Sequence, residues 1–277
     1  MKVKVACLVL CLESSVVWAM NQEFVEAPLV RPEFVSYLQT RANLAYGPVR
    51  DLREVDGLTP FFTDAVEHTD ETLAGFVEKR RQYVIVAFPG TYRWSDVWKD
   101  VSIFSSDGGY SRSVWENESI KVHPAFAKDV QSFFGTMNNL IGEVDGQEIF
   151  FTGHSKGGGT ATIAALKYAK TKVGILKQSQ LKVFAFSSPP VLDINAVNSY
   201  HKLIGELNHV NIYNNWDVIP YLPLQLKFYH AGIQANVNAK GHGIATFTRE
   251  RVQPLMRRIE KNYRINPFMS RYEMGRP

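Results

Sequence analysis

The sequence predicts an α/β protein with a mainly parallel central sheet and helices on both faces. Short apolar runs at residues 83–88, 181–186 and 209–213 alternate with longer segments of helical periodicity. One further run leads straight through a glycine-rich turn into a helix. Strand and helix in alternation favour parallel strands joined by right-handed crossovers. A chain of 277 residues with 45% hydrophobic content can build one large core, and it carries no internal repeat or long linker.

From the amino terminus, Lys2 and Lys4 precede the apolar run Val5 to Leu12, and Val17-Trp18-Ala19 offers small residues spaced for cleavage after Ala19. Residues 1–19 therefore read as a signal peptide and 20–277 as a single domain, which places the mature protein outside the cytoplasm, secreted or periplasmic. Both cysteines, Cys7 and Cys11, fall in the leader, so the mature chain would hold no thiol. That excludes a cysteine nucleophile and a zinc–thiolate site. No other stretch approaches the roughly 18 apolar residues of a membrane span. The 31 basic and 27 acidic residues are spread along the chain and make no case for nucleic acid.

Beyond the prolines at Pro28 and Pro32, Glu33 to Tyr46 places Phe34, Leu38, Ala42 and Ala45 near one face of a helix. Residues 47–81 are mixed and polar, and no element is assigned there. Tyr83 to Phe88 is a buried strand ended by Pro89-Gly90. After His123-Pro124, the residues Phe126, Val130, Phe133, Met137 and Ile141 recur at helical spacing, with the proline suited to the first turn. A strand over Gln147 to Thr152 comes next, followed by a helix carrying Ala161, Ala164, Ala165 and Tyr168. The last elements are a strand at Leu181 to Phe186, a helix near Ala196 to Leu207 and a strand at His209 to Tyr213.

Between the strand at Gln147 and the helix after Thr160 stands Gly153-His154-Ser155-Lys156-Gly157, a G-x-S-x-G pentapeptide. The pattern alone arises by chance in about one chain of this length in ten. Its setting gives it meaning. A strand-to-helix turn that tight needs glycines on either side of the serine, and it pushes the serine Oγ clear of the backbone. A phosphate-binding loop is excluded, because Gly158 is followed by Gly159-Thr160 where Lys-Ser/Thr is required. On the α/β-hydrolase fold this elbow presents a nucleophile.

A serine hydroxyl needs a histidine base oriented by a carboxylate, and on this fold the chain order is serine, acid, histidine. Asp217, in the loop directly after the strand His209 to Tyr213, is the acid candidate. Asp193, also just past a strand, competes with it. Order then leaves His230 and His242. His242, between Gly241 and Gly243, sits where an imidazole can swing over a serine, whereas His230 follows Phe228-Tyr229 in a packed-looking context. The oxyanion donors expected are the backbone N–H of Lys156 and Thr91, in the loop after Phe88. No cofactor or metal is expected.

With these pieces in order, the chain resembles the class 3, or fungal-type, lipase family over roughly residues 33–250. Val86-Ala87-Phe88-Pro89-Gly90-Thr91 looks like the family's oxyanion strand, with Pro89 where arginine is usual. Ser95 to Asp100 looks like the acidic-aromatic stretch after it, and Val122-His123-Pro124-Ala125-Phe126 like its next helix start. Phe184 to Val191 and Asp217 to Pro223 resemble its strand-and-turn and acid loop. The resemblance implies Ser155 as nucleophile, Asp217 as acid, and Thr91 with the Lys156 N–H as oxyanion donors. It also makes His230-Ala231-Gly232 a non-catalytic element, leaving His242 as base.

The chain departs from the family at Lys156-Gly157-Gly158 and in the 25 positions from Asp217 to His242, fewer than usual. The activity implied is hydrolysis of lipid acyl esters, with contact at a lipid interface. Tyr92, Trp94, Trp98, Phe104, Tyr110 and Trp115 crowd the segment where the family often carries a lid. A hydrolase-fold binding protein without turnover, and an acyltransferase or thioesterase, are the rival readings.

Overall fold

The computed structural model describes residues 32–63, 69–91, 119–144, 146–222 and 228–265. The leader at 1–19 and the aromatic segment from Tyr92 to Trp115 lie outside the described residues. Seven strands form one sheet in sequence order: β1 (Leu58–Phe62), β2 (Leu73–Lys79), β3 (Tyr83–Phe88), β4 (Glu148–His154), β5 (Leu181–Phe186), β6 (His209–Asn214) and β7 (Ile233–Val237). The β1–β2 and β2–β3 pairs are antiparallel, while β3 to β7 run parallel.

Strands added always on the same side leave right-handed crossovers only one face to occupy. The crossover helices α3 (Pro124–Ile141), α4 (Lys156–Thr171) and α5 (Ile194–Leu203) accordingly share a core with Val84, Val86, Phe88, Ile149, Phe151 and Val183. The alternate residues Ile85, Phe150, Phe184, Phe186, Val210 and Ile212 point to the opposite face. There they are covered by α1 (Pro32–Leu44) and α6 (Arg249–Ile265), the outermost helices of the described chain. Burial on both sides explains why β3 and β5 read as largely apolar runs without alternation.

The stretch 47–81, left unassigned from sequence, contains the short helix α2 (Val49–Glu54), β1 and β2. Its signal was weak for a physical reason. β1 is an edge strand carrying Pro60, and β2 holds Gly75 and ends on Glu78 and Lys79. Glu78 is fully buried and takes hydrogen bonds from Tyr37 (2.7 Å), Arg41 (2.6 Å) and Arg80 (2.9 Å). Burial alone would raise its pKa, but these partners hold it below the usual carboxylate range. The cluster pins α1 across the antiparallel end of the sheet, which fixes where the residues after α1 fall. Among the described residues no helix is long and apolar enough to cross a membrane, and no three His, Cys, Asp or Glu side chains converge to hold a metal ion.

Candidate active site

The carboxyl ends of β3 to β6 meet at one edge of the sheet, where a doubly covered α/β fold opens a crevice. β4 ends at His154, and Ser155 follows with φ 56° and ψ −123°. This backbone region is costly for any residue with a Cβ, by about 1–3 kcal/mol. The surroundings enforce it: Ser155 N–H donates to Phe186 O at 2.8 Å, and Ser155 O accepts from Gly158 N–H at 3.0 Å as α4 begins. Ser155 is almost fully buried.

Each unusual glycine has a steric cause. A Cβ on Gly153 would strike the Gly157 backbone, and one on Gly157 would strike Phe88 O and, at 2.8 Å, Pro89 O. A Cβ on Gly158 would come within 2.8 Å of Ser188 Cβ, and one on Gly159 within 2.7 Å of the Phe126 ring. The run of three glycines thus lets α4 press against the loop after β3, against β5 and against α3. The Gly157→Ala variant is expected to lose about 1–3 kcal/mol of stability, because only backbone atoms face the added methyl. It should also lose most of its turnover, since the loop carrying Thr91 must move. Thermal unfolding and kcat measured together check both.

Lys156 is the first residue of α4, so its N–H has no acceptor within the helix and is available to a ligand at the elbow. Its side chain turns away and pairs with Asp129 of α3 at 2.8 Å, with both partners partly exposed. Thr91 follows Pro89-Gly90 after β3, and Phe88 lies in register with Gly153 of β4. Gly90 sits so close that a Cβ there would come within 2.7 Å of His154 O. The Thr91 loop therefore lies directly beside the elbow.

Asp217 occupies the loop after β6 with its side chain fully buried. One carboxylate oxygen accepts from Ile219 N–H at 3.0 Å, and the other lies 2.8 Å from His242 Nδ1. The 25-residue separation is sufficient because β7 is only five residues long and ends with Val237 opposite Asn214, beside the acid loop. Asn214 at the end of β6 also donates to Gly241 O and Thr246 Oγ1, both at 2.6 Å, tying the histidine loop to the acid strand.

The competing residues are otherwise engaged. Asp193 caps α5 by accepting from Ala196 N–H at 2.7 Å. His230 is held by Pro220 O at 2.7 Å on Nε2 and Asn211 at 3.3 Å on Nδ1, and burial pushes its pKa down to about 4. It is a neutral brace for the segment after Asp217. The sequence reading passed over His154 and Tyr46. His154 Nε2 lies 2.6 Å from His242 O, and its Nδ1 lies 2.8 Å from Tyr46 Oη. The His154 and His242 rings are in contact, their centroids 4.7 Å apart and their planes tilted by 37°. His242 thus rests against the residue that adjoins Ser155. The signal was present in the variable position of G-x-S-x-G, which is usually read only for its glycines.

A strained serine turn at the end of a central parallel strand, with the loop after β3 beside it and a carboxylate–imidazole pair after it, is the arrangement of an α/β-hydrolase. The sequence profile described as Lipase (class 3) matches residues 85–227, just over half of the chain, and the chain belongs to the class 3 lipase family. It is a carboxylic ester hydrolase of the lipase type. No curated protein matches it in sequence.

Among solved structures, a triacylglycerol lipase whose catalytic centre is described as a serine protease triad superposes with a TM-score of 0.58 at 19% identity, covering 75% of this chain and 80% of that one. The native propeptide complex of Rhizomucor miehei lipase gives 0.57 at 18% identity, over 80% of this chain and 75% of that one. The lipase of Rhizopus microsporus var. chinensis gives 0.57 at 18%, over 76% and 75%. At these identities the likeness establishes the fold.

Proposed function

We propose that Ser155, His242 and Asp217 act as the catalytic triad of a lipid acyl-ester hydrolase. The observation that carries this reading is the buried 2.8 Å pair of Asp217 and His242, its loop anchored at the strained elbow of Ser155. Ser155 Oγ attacks the ester carbonyl carbon as its proton passes to His242 Nε2. Asp217 keeps the other proton on Nδ1 and stabilises the imidazolium that forms. The oxyanion rests on the Lys156 N–H and on Thr91. Collapse of the tetrahedral intermediate expels the alcohol, which takes the proton from His242. Water then attacks the acyl-enzyme by the same route, releasing the acid and restoring the serine.

The surface around the acid loop supports a lipid substrate met at an interface. Trp216 and Val218, on either side of Asp217, are 71% and 52% exposed, and Tyr221 and Tyr229 are also exposed. Trp and Tyr with a water-facing apolar body suit a headgroup boundary. Export through residues 1–19 fits such an enzyme, whose chain has no cysteine after Cys11.

Purified protein is expected to release fatty acid from emulsified acyl glycerols and to hydrolyse short soluble p-nitrophenyl esters. Absence of turnover on both classes would sink the reading. The Trp216→Ser variant should lose about tenfold on the emulsion, a loss of roughly 1–2 kcal/mol of interfacial contact, while keeping its rate on the soluble ester. Equal losses on the two substrates would separate the patch from the interface.

A further inference from the structure

The hydrogen bonds at His154 have a direction that the donor inventory settles. A backbone carbonyl only accepts, so the 2.6 Å contact with His242 O requires a proton on His154 Nε2. The neutral ring then has a bare Nδ1, and the Tyr46 hydroxyl at 2.8 Å must donate to it. His154 is 4% exposed, and burial, followed by the neighbouring His242, pushes its pKa down to about 3. It therefore stays neutral and holds this tautomer throughout the range in which esters are turned over. Tyr46 itself is placed by α1, two residues beyond its end, and packs where Gly90 leaves no Cβ.

We propose that His154 is a positioning residue for the histidine base, set in its Nε2–H tautomer by Tyr46, holding the His242 backbone by hydrogen bond and packing at a tilt against the His242 ring. The inference rests on His242 being the base. From one side Asp217 fixes the His242 imidazole through Nδ1, and from the other His154 fixes its main chain. A base carried on a loop with Gly241 and Gly243 beside it needs such a second anchor. Without it, the loop can carry the ring away from Ser155, and a displacement of about 1 Å is enough to cost roughly a hundredfold in rate. The elbow, the base loop and the chain after α1 thus form one unit. The nucleophile and the base are coupled through adjacent residues of the same β4 terminus, rather than through the substrate alone.

Three variants separate hydrogen bonding from packing. His154→Leu keeps apolar volume but has no donor. His154→Gln can donate to His242 O and accept from Tyr46. Tyr46→Phe removes only the hydroxyl. Expected for His154→Leu is a fall in kcat of about ten- to a hundredfold with KM on a soluble ester nearly unchanged, and His154→Gln should recover most of the loss. Tyr46→Phe should cost less, and its effect should vanish in the His154→Leu background, because the two act through one path.

A readout that does not depend on turnover is the NMR signal of the His242 Nδ1 proton shared with Asp217. It should be sharp in the wild type and His154→Gln and broadened by exchange in His154→Leu at equal thermal stability. Full kcat with an unbroadened proton in His154→Leu overturns the proposal, as does a His154→Gln variant that folds normally yet is as impaired as the leucine. Wild-type protein that shows the sharp proton but labels at another serine would instead contradict the triad and leave the coupling of His154 to His242 standing. If His154→Leu does not fold, the glutamine and phenylalanine variants still decide.

Discussion

Ser155→Ala is expected to lower ester turnover by about three to six orders of magnitude while leaving the fold intact. The loss follows from removal of the attacking atom; the residual rate over water comes from the Lys156 N–H and Thr91, which the substitution does not touch. The stability outcome is more informative than it first looks. At φ 56° and ψ −123° alanine bears the same backbone cost as serine, so the melting temperature of Ser155→Ala should stay close to that of the wild type. Ser155→Gly removes the Cβ that makes the conformation costly and should be more stable than either, by about 1–3 kcal/mol, with no activity. Calorimetry on the three proteins checks this. A glycine variant less stable than the alanine one would mean that the elbow is not strained.

The second large effect is at Asp217. Asp217→Asn preserves shape, and the hydrogen bond from Ile219 N–H holds the amide oxygen where Oδ1 now lies. The amide nitrogen is thereby turned toward His242 Nδ1, to which it can only donate. This stabilises the tautomer with hydrogen on Nε2, which cannot accept the proton of Ser155. A fall in kcat of about four orders of magnitude is expected, with KM little changed. Soluble-ester kinetics measure it directly, and a loss under tenfold would remove Asp217 from the mechanism.

The readable parts of this chain were those where local chemistry and tertiary context agree. β3 and β5 were legible to the residue because a strand covered on both faces is largely apolar, and α3 because its apolar face and Pro124 coincide. Ser155, Asp217 and His242 were candidates because an elbow, a strand-end loop and a glycine-flanked histidine each have a sequence form. β1 and β2 were hidden by Pro60 on the edge strand and by Gly75 and Glu78 within β2, residues of low strand propensity. β7 was missed because it is only five residues long, with Gln234 and Asn236 interrupting its apolar positions.

Within the site, what the sequence withheld was pairing. Nothing near His154 indicates that its partners stand 108 and 88 positions away, at Tyr46 and His242. The glycines at 157–159, where the chain departs from the family pattern, are each accounted for by a neighbour that a methyl group would strike. Lys156, the other unusual residue, opens α4 directly after Ser155 and sends its charge to Asp129.

Mass-spectrometric mapping of a fluorophosphonate adduct on the folded protein tests the central claim most directly. The account predicts a single stoichiometric adduct on Ser155, formed far more slowly in His242→Ala and at an undiminished rate in a folded variant lacking the Lys156 side chain. An adduct on another residue, or labelling of Ser155 that persists in His242→Ala and disappears in His230→Ala, would contradict it.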